Sequence, residues 1–332
     1  MSVSIEGNKI LSFYNDAKKL IKGEMVVPRF VSMWLTTACQ LSCSYCFFSN
    51  KNKEKVFANT YQVEKFITEL SRIGVESIEF SGGGEPTLHK DCFNIIEYGS
   101  KKGLKVGLLT NGFKFDYNKI NYLSYIRIGL DAHTPELYTK IKGGSKSNFN
   151  ETVDNIKMLV NQRKRLLPRI GIKFMLNSIN VMYLNDMVEF AKSLGVDYCH
   201  FKSTHTDAYQ LTNSQMSTVH TILTNLKNLS PNFVFGSVIR NKAKVKCFMS
   251  PIHTVITPNG DCLVCCYHYQ SQYIIGNVFK DGFVKVWCNK KHRDIINSIQ
   301  ISDCSKVDCR FLFYNNEMKD VIENNKYDIS FI

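Results

Sequence analysis

Three cysteines within eight consecutive positions are the residues of this chain best suited to metal chemistry. Cys39, Cys43 and Cys46 form a C-x3-C-x2-C run directly after the apolar stretch 31–36. Thiols this close in sequence can face one point, and soft sulfur ligands select zinc or iron–sulfur centres. A structural zinc site takes four protein ligands, and no nearby His or Cys supplies the fourth. Three thiolates suit a [4Fe-4S] cluster that leaves one iron open to another molecule.

A glycine run follows the next apolar stretch, at Ser81-Gly-Gly-Gly-Glu-Pro86. Three glycines after a buried strand permit positive φ angles and a close approach of the backbone to a ligand. Such a turn can offer backbone donors and carbonyls to a small polar group. Taken alone, the run is equally compatible with a flexible strand–helix turn.

Together these motifs resemble the radical S-adenosylmethionine (SAM) superfamily. The cysteine run, with Tyr45 inside it, is similar to that family's cluster loop, and residues 82–86 are similar to its Gly-Gly-Glu-Pro motif. The resemblance implies that the three cysteines hold a [4Fe-4S] cluster whose open iron binds SAM. It implies that reduction cleaves SAM to a 5′-deoxyadenosyl radical, and that Glu85 and the neighbouring backbone hold the SAM amino group. For the cysteine run alone, a zinc knuckle or three unrelated buried thiols are the alternatives.

Polar residues at later strand ends are further candidates for contact with SAM. Asn111 and Asp131 each end a predicted strand, whereas many relatives carry Ser at the position of Gly129. Lys173 could meet the SAM carboxylate or ribose, although a solvated lysine fits the sequence equally well. The residues expected to position SAM are therefore Tyr45, Gly82, Gly83, Gly84, Glu85, Pro86, Asn111, Asp131, Lys173 and Asn177.

Strands and helices alternate through the first 230 residues. Apolar runs predict strands at 31–36, 75–80, 104–109, 125–130, 170–176 and 198–202, and helical spacing predicts helices at 61–73, 92–100, 153–160, 184–194 and 214–229. Alternation of this kind predicts a parallel sheet with chemistry at the carboxyl ends of the strands. Six units favour an α/β fold with a partial (β/α)6 TIM-like barrel, as in the radical SAM family.

The second half carries a different pattern. Cys247 precedes a predicted β-hairpin at 253–266, a helix at 283–299 follows, and Cys304 and Cys309 come after it. This order resembles the small α+β twitch domain, a shortened relative of the SPASM domain, because the C-x2-C-x5-C-x3-C run of a full SPASM domain is absent. The resemblance implies an auxiliary [4Fe-4S] cluster whose four ligands would be Cys247, Cys265, Cys304 and Cys309.

Two neighbouring thiols complicate this assignment. Alternation along the second hairpin strand would point Cys262 and Cys266 to one face and Cys265 to the other. A zinc ribbon built from the same residues is the alternative. Cys199 and Cys266 are predicted to lie near the substrate, where a thiol could return a hydrogen atom to a substrate radical as catalytic residue.

Composition and charge narrow the class of protein. The 332 residues are 44% hydrophobic and 21% charged, which are globular values that suggest about two domains. No apolar run reaches the ~20 residues needed to span a bilayer, and the N-terminus lacks a signal pattern, so we expect a cytoplasmic protein without membrane partners. Twelve cysteines then favour metal ligation over disulfides. The net charge of +13 favours anionic partners or reflects a lysine-rich surface, and no RNA-binding signature is present, so nucleic acid is an unlikely partner.

The sequence thus predicts a radical SAM oxidoreductase or epimerase in four segments: a lead-in at 1–30, the barrel at 31–230, the twitch domain at 231–320 and a tail at 321–332. The lead-in is too short for a winged-helix domain that captures a leader peptide. With the basic charge, this favours dehydrogenation or epimerisation of an anionic, sugar-like small molecule. Modification of a ribosomally made peptide is the alternative, and a non-catalytic zinc protein is a remote one. The family resemblance also implies a flavodoxin- or ferredoxin-type electron donor.

Overall fold

A computed structural model describes residues 14–22, 24–48, 54–164, 166–204, 209–237, 247–266 and 271–299, together with Asn315. Its strands are β1 Phe30–Trp34, β2 Ser77–Ser81, β3 Lys105–Thr110, β4 Tyr125–Gly129, β5 Arg169–Leu176, β6 Tyr198–Ser203, β7 Val234–Ser237, β8 His253–Ile256, β9 Asp261–Leu263 and β10 Ile274–Asn277. Its helices are α1 Tyr14–Ile21, α2 Thr60–Arg72, α3 Cys92–Lys101, α4 Pro135–Lys142, α5 Lys146–Gln162, α6 Leu184–Ser193, α7 Asn213–Leu229, α8 Val278–Asp281, α9 Phe283–Trp287 and α10 Lys290–Ser298.

All ten strands belong to one sheet in the order β10-β9-β8-β1-β2-β3-β4-β5-β6-β7. Strands β1 to β7 pair in parallel, each with the next along the chain. Helices connect most of these strands, which confirms the predicted α/β fold with a TIM-like parallel core. The carboxyl ends of the strands therefore lie at one edge of the sheet, where the two sequence motifs fall.

Helix α2 shows why the elements form where they do. Asn59 caps its first turn by accepting a hydrogen bond from the backbone N–H of Gln62. Its buried residues recur at helical spacing and cover one face of the sheet; they are Val63, Phe66, Ile67 and Leu70. Because the strands are buried by helices on one side, alternate residues of each strand point to the helices and to the concave inner side of the barrel.

The structure departs from the sequence predictions at several elements, and helix α8 and strand β10 are among those that were not predicted. Helix α4 and strand β7 were not predicted, and β7 pairs with β6 although it lies beyond the predicted boundary at residue 230. The single helix predicted at 283–299 is two helices, because Asn289 starts a new one by accepting a hydrogen bond from the His292 backbone N–H. The domain boundaries themselves stay predictions.

The predicted hairpin is confirmed as β8 and β9, which pair antiparallel. Strand β8 also pairs in parallel with β1, so the second half extends the barrel sheet at its first strand. The Glu69 carboxylate of α2 accepts hydrogen bonds from the backbone N–H groups of Phe283 and Val284 at 2.8 and 3.0 Å. These contacts seat the hairpin and the helices after it against the start of the barrel.

In the described part of the chain, no helix has the length and apolar character needed to cross a membrane. Cys304, Cys309 and the predicted tail at 321–332 lie outside the described residues.

Candidate functional site

The three motif cysteines lie on the loop that leaves the carboxyl end of β1. Cys46 donates its backbone N–H to the Cys43 carbonyl at 2.9 Å, so the last two cysteines are joined by a tight turn. Before the loop, Thr36 forms an antiparallel bridge with Phe57, and the Thr36 hydroxyl donates to the Val56 carbonyl at 2.7 Å. The cysteine loop therefore starts from a fixed point at the edge of the sheet.

The end of helix α4 supports the other side of this loop. The backbone N–H of Ser44 donates to the Ile141 carbonyl at 2.8 Å. Gly143, the left-handed residue that ends α4, lies so close to Ser42 that a Cβ atom there would overlap its hydroxyl oxygen. A glycine at this position thus satisfies both the positive φ angle and the close packing of helix on loop.

Burial raises the pKa of two thiols of the loop, Cys39 and Cys43. Burial raises the pKa of Cys39 to about 11, although the residue is partly exposed. Burial also raises the pKa of Cys43, and the nearby Lys142 ammonium opposes that rise. Because a thiol must lose its proton to ligate iron, cluster binding here would release protons.

The glycine run packs directly against the residue that precedes Cys39. The Glu85 backbone N–H donates to the Ala38 carbonyl at 2.7 Å, and a Cβ atom on Gly84 would overlap that same carbonyl oxygen. A Cβ atom on Gly83 would lie 3.1 Å from the Trp34 ring. None of the three glycines adopts a positive φ angle, so close approach and not left-handed backbone is the reason for glycine here.

The Glu85 carboxylate is buried and fully used inside the protein. Its Oε1 atom accepts hydrogen bonds from Thr87 and from the Thr110 hydroxyl, and its Oε2 atom accepts from the Asn111 backbone N–H at 2.7 Å. Burial raises its pKa, which these hydrogen bonds oppose. Glu85 therefore ties the end of β2 to the end of β3. Pro86, buried beside it, begins the short 3₁₀ turn that follows.

A buried ion pair lies beside the cysteine loop. The Lys142 ammonium contacts Asp131 Oδ2 at 3.0 Å and donates to the Gly129 carbonyl at 2.8 Å. Tyr45, inside the cysteine motif, donates its hydroxyl hydrogen to the same Asp131 oxygen. Burial acts to lower the pKa of Lys142, but attraction by Asp131, Cys43 and Tyr45 outweighs it and holds that pKa well above the ordinary value.

Lys142 is the residue of this region that sequence reasoning missed. Its ammonium lies 3.6 Å from the position that a Cβ atom on Gly129 would take. In sequence it reads as a basic residue in the last turn of a helix before Gly143, which is an ordinary helix ending. Nothing local marks it as buried, so only the neighbouring strands reveal its role.

Two predicted SAM contacts, Asp131 and Asn177, are engaged within the protein. Asp131 adopts a φ angle of 63° and accepts a hydrogen bond from the Met175 backbone N–H at 2.6 Å. The Asn177 side chain accepts from the Ile179 backbone N–H and donates to the Met175 carbonyl. Both side chains are 0% exposed; Asp131 joins the ends of β4 and β5, and Asn177 fixes the turn that follows β5.

Asn111 and Lys173, by contrast, retain capacity to bind a ligand. The buried Asn111 Nδ2 atom has no hydrogen-bond partner among the described residues. Lys173 has no hydrogen bond or ion pair to a described residue, and burial lowers its pKa to about 8. A bound polar molecule at the carboxyl ends of the strands would satisfy these groups.

The predicted thiol Cys199 lies away from the concave side of the barrel. It pairs in register with Ile172 and Val234, is 0% exposed and packs in the hydrophobic core. Burial raises its pKa to about 12. Its neighbour His200 takes the inner side instead, so the structure does not bring Cys199 to the cysteine loop.

Cysteines of the second half are divided between two sides of the hairpin. Cys262 is 0% exposed and lies in the main hydrophobic core. Cys265 is partly buried and packs against that core. Cys266 instead packs with Trp34 and Phe48 beside the cysteine loop. The predicted shared face of Cys262 and Cys266 is wrong, because β9 ends at Leu263 and alternation does not continue beyond it.

Cys247 and Cys265 lie on adjoining segments. The Ser250 hydroxyl donates to the Val264 carbonyl at 3.0 Å, which joins the turn after Cys247 to the residue before Cys265. The Phe248 backbone N–H donates to the Asn315 side chain at 2.6 Å. The two remaining predicted ligands lie outside the described residues, so the four-ligand set stays a prediction.

Among the described residues, no three His, Cys, Asp or Glu side chains are arranged to hold a metal ion. The cysteine loop nevertheless has the donor chemistry of a [4Fe-4S] site, with three thiols on one loop. The adjoining glycine run leaves no room for side chains, and Asn111 offers an unpartnered amide nearby. These features fit a cluster at Cys39, Cys43 and Cys46 with a small polar molecule beside it.

Comparison with known proteins agrees with this geometry. Residues 34–191 match the radical SAM superfamily, and residues 247–310 match the iron–sulfur cluster-binding domain called SPASM. Mycofactocin maturase MftC of Mycobacterium tuberculosis is 25% identical over 285 residues, which cover 79% of this chain and 71% of that protein. The antilisterial bacteriocin subtilosin biosynthesis protein AlbA of Bacillus subtilis is 23% identical over 285 residues, covering 80% of this chain and 60% of AlbA.

A solved structure shares the fold across nearly the whole chain. Streptococcus suis SuiB bound to S-adenosylmethionine superposes with a TM-score of 0.69 at 16% identity, covering 95% of this chain and 80% of SuiB. The similarity therefore extends over the barrel and the second half together.

Proposed function

This chain is a radical SAM enzyme with a C-terminal SPASM-type iron–sulfur domain, and on that premise we propose that it is a maturase of a ribosomally made peptide. The observation that carries the proposal is the extent of similarity to MftC and AlbA. Each covers about four-fifths of the chain, which is more than the radical SAM domain alone. One is named for maturing mycofactocin and the other for making the bacteriocin subtilosin.

SuiB supports the same proposal, since it has also been solved bound to the precursor peptide SuiA. These relatives favour the peptide alternative over the anionic, sugar-like substrate that the sequence favoured. The sequence favoured a sugar-like substrate because of the net charge and the short lead-in at residues 1–30. A basic surface suits an acidic peptide as well as it suits a phosphorylated sugar.

The cofactors supply the one-electron chemistry, in which a reductant's electron releases from SAM the radical that takes a hydrogen atom from the peptide. The role of the protein chain would be to hold the cluster, SAM and the peptide substrate in position. Cys39, Cys43 and Cys46 would ligate the cluster, the backbone at 82–84 would pack against SAM, and the barrel would exclude water from the reacting carbon. A flavodoxin- or ferredoxin-type protein would supply the electron.

Two outcomes at the peptide fit this assembly. In oxidation, the peptide would lose one hydrogen as an atom and one as a proton, and Cys247 and Cys265 would be among the ligands of the auxiliary cluster that accepts the remaining electron. In epimerisation, the peptide radical would instead regain a hydrogen atom from a thiol, and the thiyl radical left behind would return to the thiol by taking one electron from the reductant and one proton from solvent. Cys266, which packs with Trp34 and Phe48 beside the cysteine loop, is the thiol that we propose for this role.

The test is co-expression with each short open reading frame that neighbours this gene, followed by mass spectrometry of the peptides. Loss of two hydrogens would identify oxidation, and incorporation of one deuterium in deuterated water would identify epimerisation. The matched control changes Cys39, Cys43 and Cys46 to Ala and should leave every peptide unmodified. An enzyme that consumes SAM with an anionic sugar but alters no neighbouring peptide would contradict the proposal.

A further inference from the structure

The concave inner side of the barrel carries a set of side chains unlike those on its helical side. On β6, Tyr198, His200 and Lys202 alternate with Cys199 and Phe201, which lie in the hydrophobic core. On β4 and β5, Tyr125, Arg127 and Lys173 alternate in the same way with buried isoleucines. The inner side is therefore polar and rich in cations.

Two tyrosines and an arginine close one end of this inner side. The Tyr125 ring fills the space that a side chain on Gly107 would need, and the Tyr198 ring does the same at Gly171. The Arg127 guanidinium lies 5.5 Å from the Tyr125 ring centre and 5.6 Å from that of Tyr198, and its Nε donates to the Tyr198 hydroxyl at 3.2 Å. This stack forms a floor near the amino ends of the strands.

Lys173, His200 and Lys202 lie between that floor and the carboxyl ends of the strands. Lys173 pairs in register with His200, and Met175 pairs with Lys202 two residues further along. We call these three residues the basic layer. Its position places it below the cysteine loop and the Asp131–Lys142 pair, which sit where β1 and β4 end.

The charge of Lys173 is poorly compensated by the protein. Burial lowers its pKa to about 8; attraction by Asp131 opposes this, and repulsion by Lys202, Arg127 and Lys142 adds to it. No described residue accepts a hydrogen bond from its ammonium. A half-buried cation without a described hydrogen-bond partner would be stabilised by an anion bound beside it.

His200 offers a neutral donor in the same layer. Its pKa lies well below the ordinary value because of burial and the positive charges of Arg127, Lys202, Lys173 and Lys227. Its Nδ1 atom is buried without a hydrogen-bond partner among the described residues. An anion in this layer would give that atom a partner.

Carboxylates already present on the inner side are engaged elsewhere. Glu79 accepts a hydrogen bond from the Tyr125 hydroxyl, close to the floor. Asp131 accepts from Lys142, from Tyr45 and from the Met175 backbone N–H. Among the described residues, neither of these two carboxylates forms an ion pair with Lys173.

We propose that the basic layer of Lys173, His200 and Lys202 binds a carboxylate of the peptide substrate and so positions the reacting residue beneath the cluster loop. The inference rests on the proposed function and adds a substrate class to it, namely an acidic peptide. The carboxylate could come from an Asp or Glu side chain or from the C-terminus of the peptide. Both sources present the same chemistry to the layer.

The experiment is equilibrium dialysis of the reconstituted holoenzyme, with SAM present, against three radiolabelled peptides. They are acetyl-Gly-Glu-Gly-amide, its Gln counterpart, and acetyl-Gly-Gly-Gly with a free C-terminal carboxylate. The Glu peptide or the free-carboxylate peptide should bind about tenfold tighter than the Gln peptide, as expected for a charge-assisted hydrogen bond. Whichever of the two binds tighter identifies the source of the carboxylate.

Variants assign the binding to the layer. Lys173→Met and Lys202→Met should each remove that preference for the carboxylate, whereas Lys173→Arg should retain most of it. Lys90→Met, at an exposed lysine outside the barrel interior, is the matched control and should bind as the parent does. Iron content and SAM affinity, measured on every variant, show that the holoenzyme is intact.

Three results would overturn the inference. The first two are equal binding of the Glu and Gln peptides and unchanged peptide binding in both methionine variants. The third is a loss of SAM affinity without a loss of peptide binding, which would assign Lys173 to the SAM carboxylate. Different results would contradict the proposed function and the inference about the basic layer. If co-expression modifies no peptide while the layer still binds the Glu probe and inorganic phosphate, the anion site stands and the substrate is an anionic small molecule. If a peptide is modified without any dependence on its carboxylates, only the inference about the layer fails.

Discussion

The backbone N–H of Glu85 donates a 2.7 Å hydrogen bond to the carbonyl of Ala38, the residue directly before the first cysteine of the cluster loop. This bond joins the two motifs that identify the chain, although 47 positions separate its residues in the sequence. The glycine run thus supports the cluster loop.

Gly84→Ala should disrupt this contact. The added methyl group would overlap the Ala38 carbonyl oxygen, which belongs to backbone and cannot rotate away. We expect a loss of about 1–3 kcal/mol in the free energy of unfolding and a lower iron content after anaerobic reconstitution. Gly99→Ala is the control, since its Cβ would lie 3.4 Å from the nearest atom, in Val106. Wild-type iron content in Gly84→Ala would contradict this role.

Lys142→Met should destabilise the protein strongly. It leaves the Asp131 carboxylate, which is 0% exposed, without its cation, and breaking a buried pair costs about 3–5 kcal/mol. The double variant with Asp131→Asn should recover part of that loss in urea unfolding. The exposed pair of Lys146 and Glu136 is the control, where Lys146→Met should cost less than about 1 kcal/mol. Equal losses in the two lysine variants would show that burial of the pair is unimportant.

Cys265→Ala and Cys262→Ala should separate a cluster ligand from a core thiol. Cys262 is 0% exposed, lies 3.2 Å from the Thr254 hydroxyl, and has its pKa raised to about 12 by burial. We therefore expect Cys262→Ala to keep the full iron content and Cys265→Ala to lose about half of it, since one of two four-iron clusters would be missing. The triple Cys→Ala variant of the loop should retain the other half. The opposite pattern would exchange the roles of Cys262 and Cys265.

Lys173→Met should stabilise the protein at pH 7 and lose that advantage in alkali. The pKa of Lys173 is about 8 in the folded chain against an ordinary value of 10.5, so between these values only the unfolded chain keeps the proton. The free energy of unfolding of the parent therefore rises with pH across this window. The methionine variant should be more stable by about 2–4 kcal/mol below pH 8. Urea unfolding at several pH values measures the difference.

A lysine-to-methionine variant at the surface is the control for the comparison of Lys173→Met with the parent protein. Lys90→Met, at an exposed side chain, should change the free energy of unfolding by less than about 0.5 kcal/mol. A pH-independent difference in Lys173→Met would contradict the depressed pKa. It would leave the basic layer supported by geometry alone.

Local pattern was enough to predict most of the barrel. A buried strand and an amphipathic helix each depend on residues a few positions apart, so β2, α2 and β5 were predicted to within two residues of their bounds. Where a short element departs from such periodicity, as in α4 and β7, the prediction failed. The break between α9 and α10 was missed because it depends on one capping side chain, Asn289.

The sequence by itself determined the chemistry of the cluster loop and the place of both motifs at strand ends, because cysteine spacing and the glycine run are local properties of the chain. Only the tertiary structure decided which side chains surround them. Lys142 meets Asp131 and Tyr45 because α4 returns to the cysteine loop, and Cys199 faces the core because of the register of β6 between β5 and β7. Burial and the partners of a charge depend on neighbouring strands, which no spacing within one segment can specify.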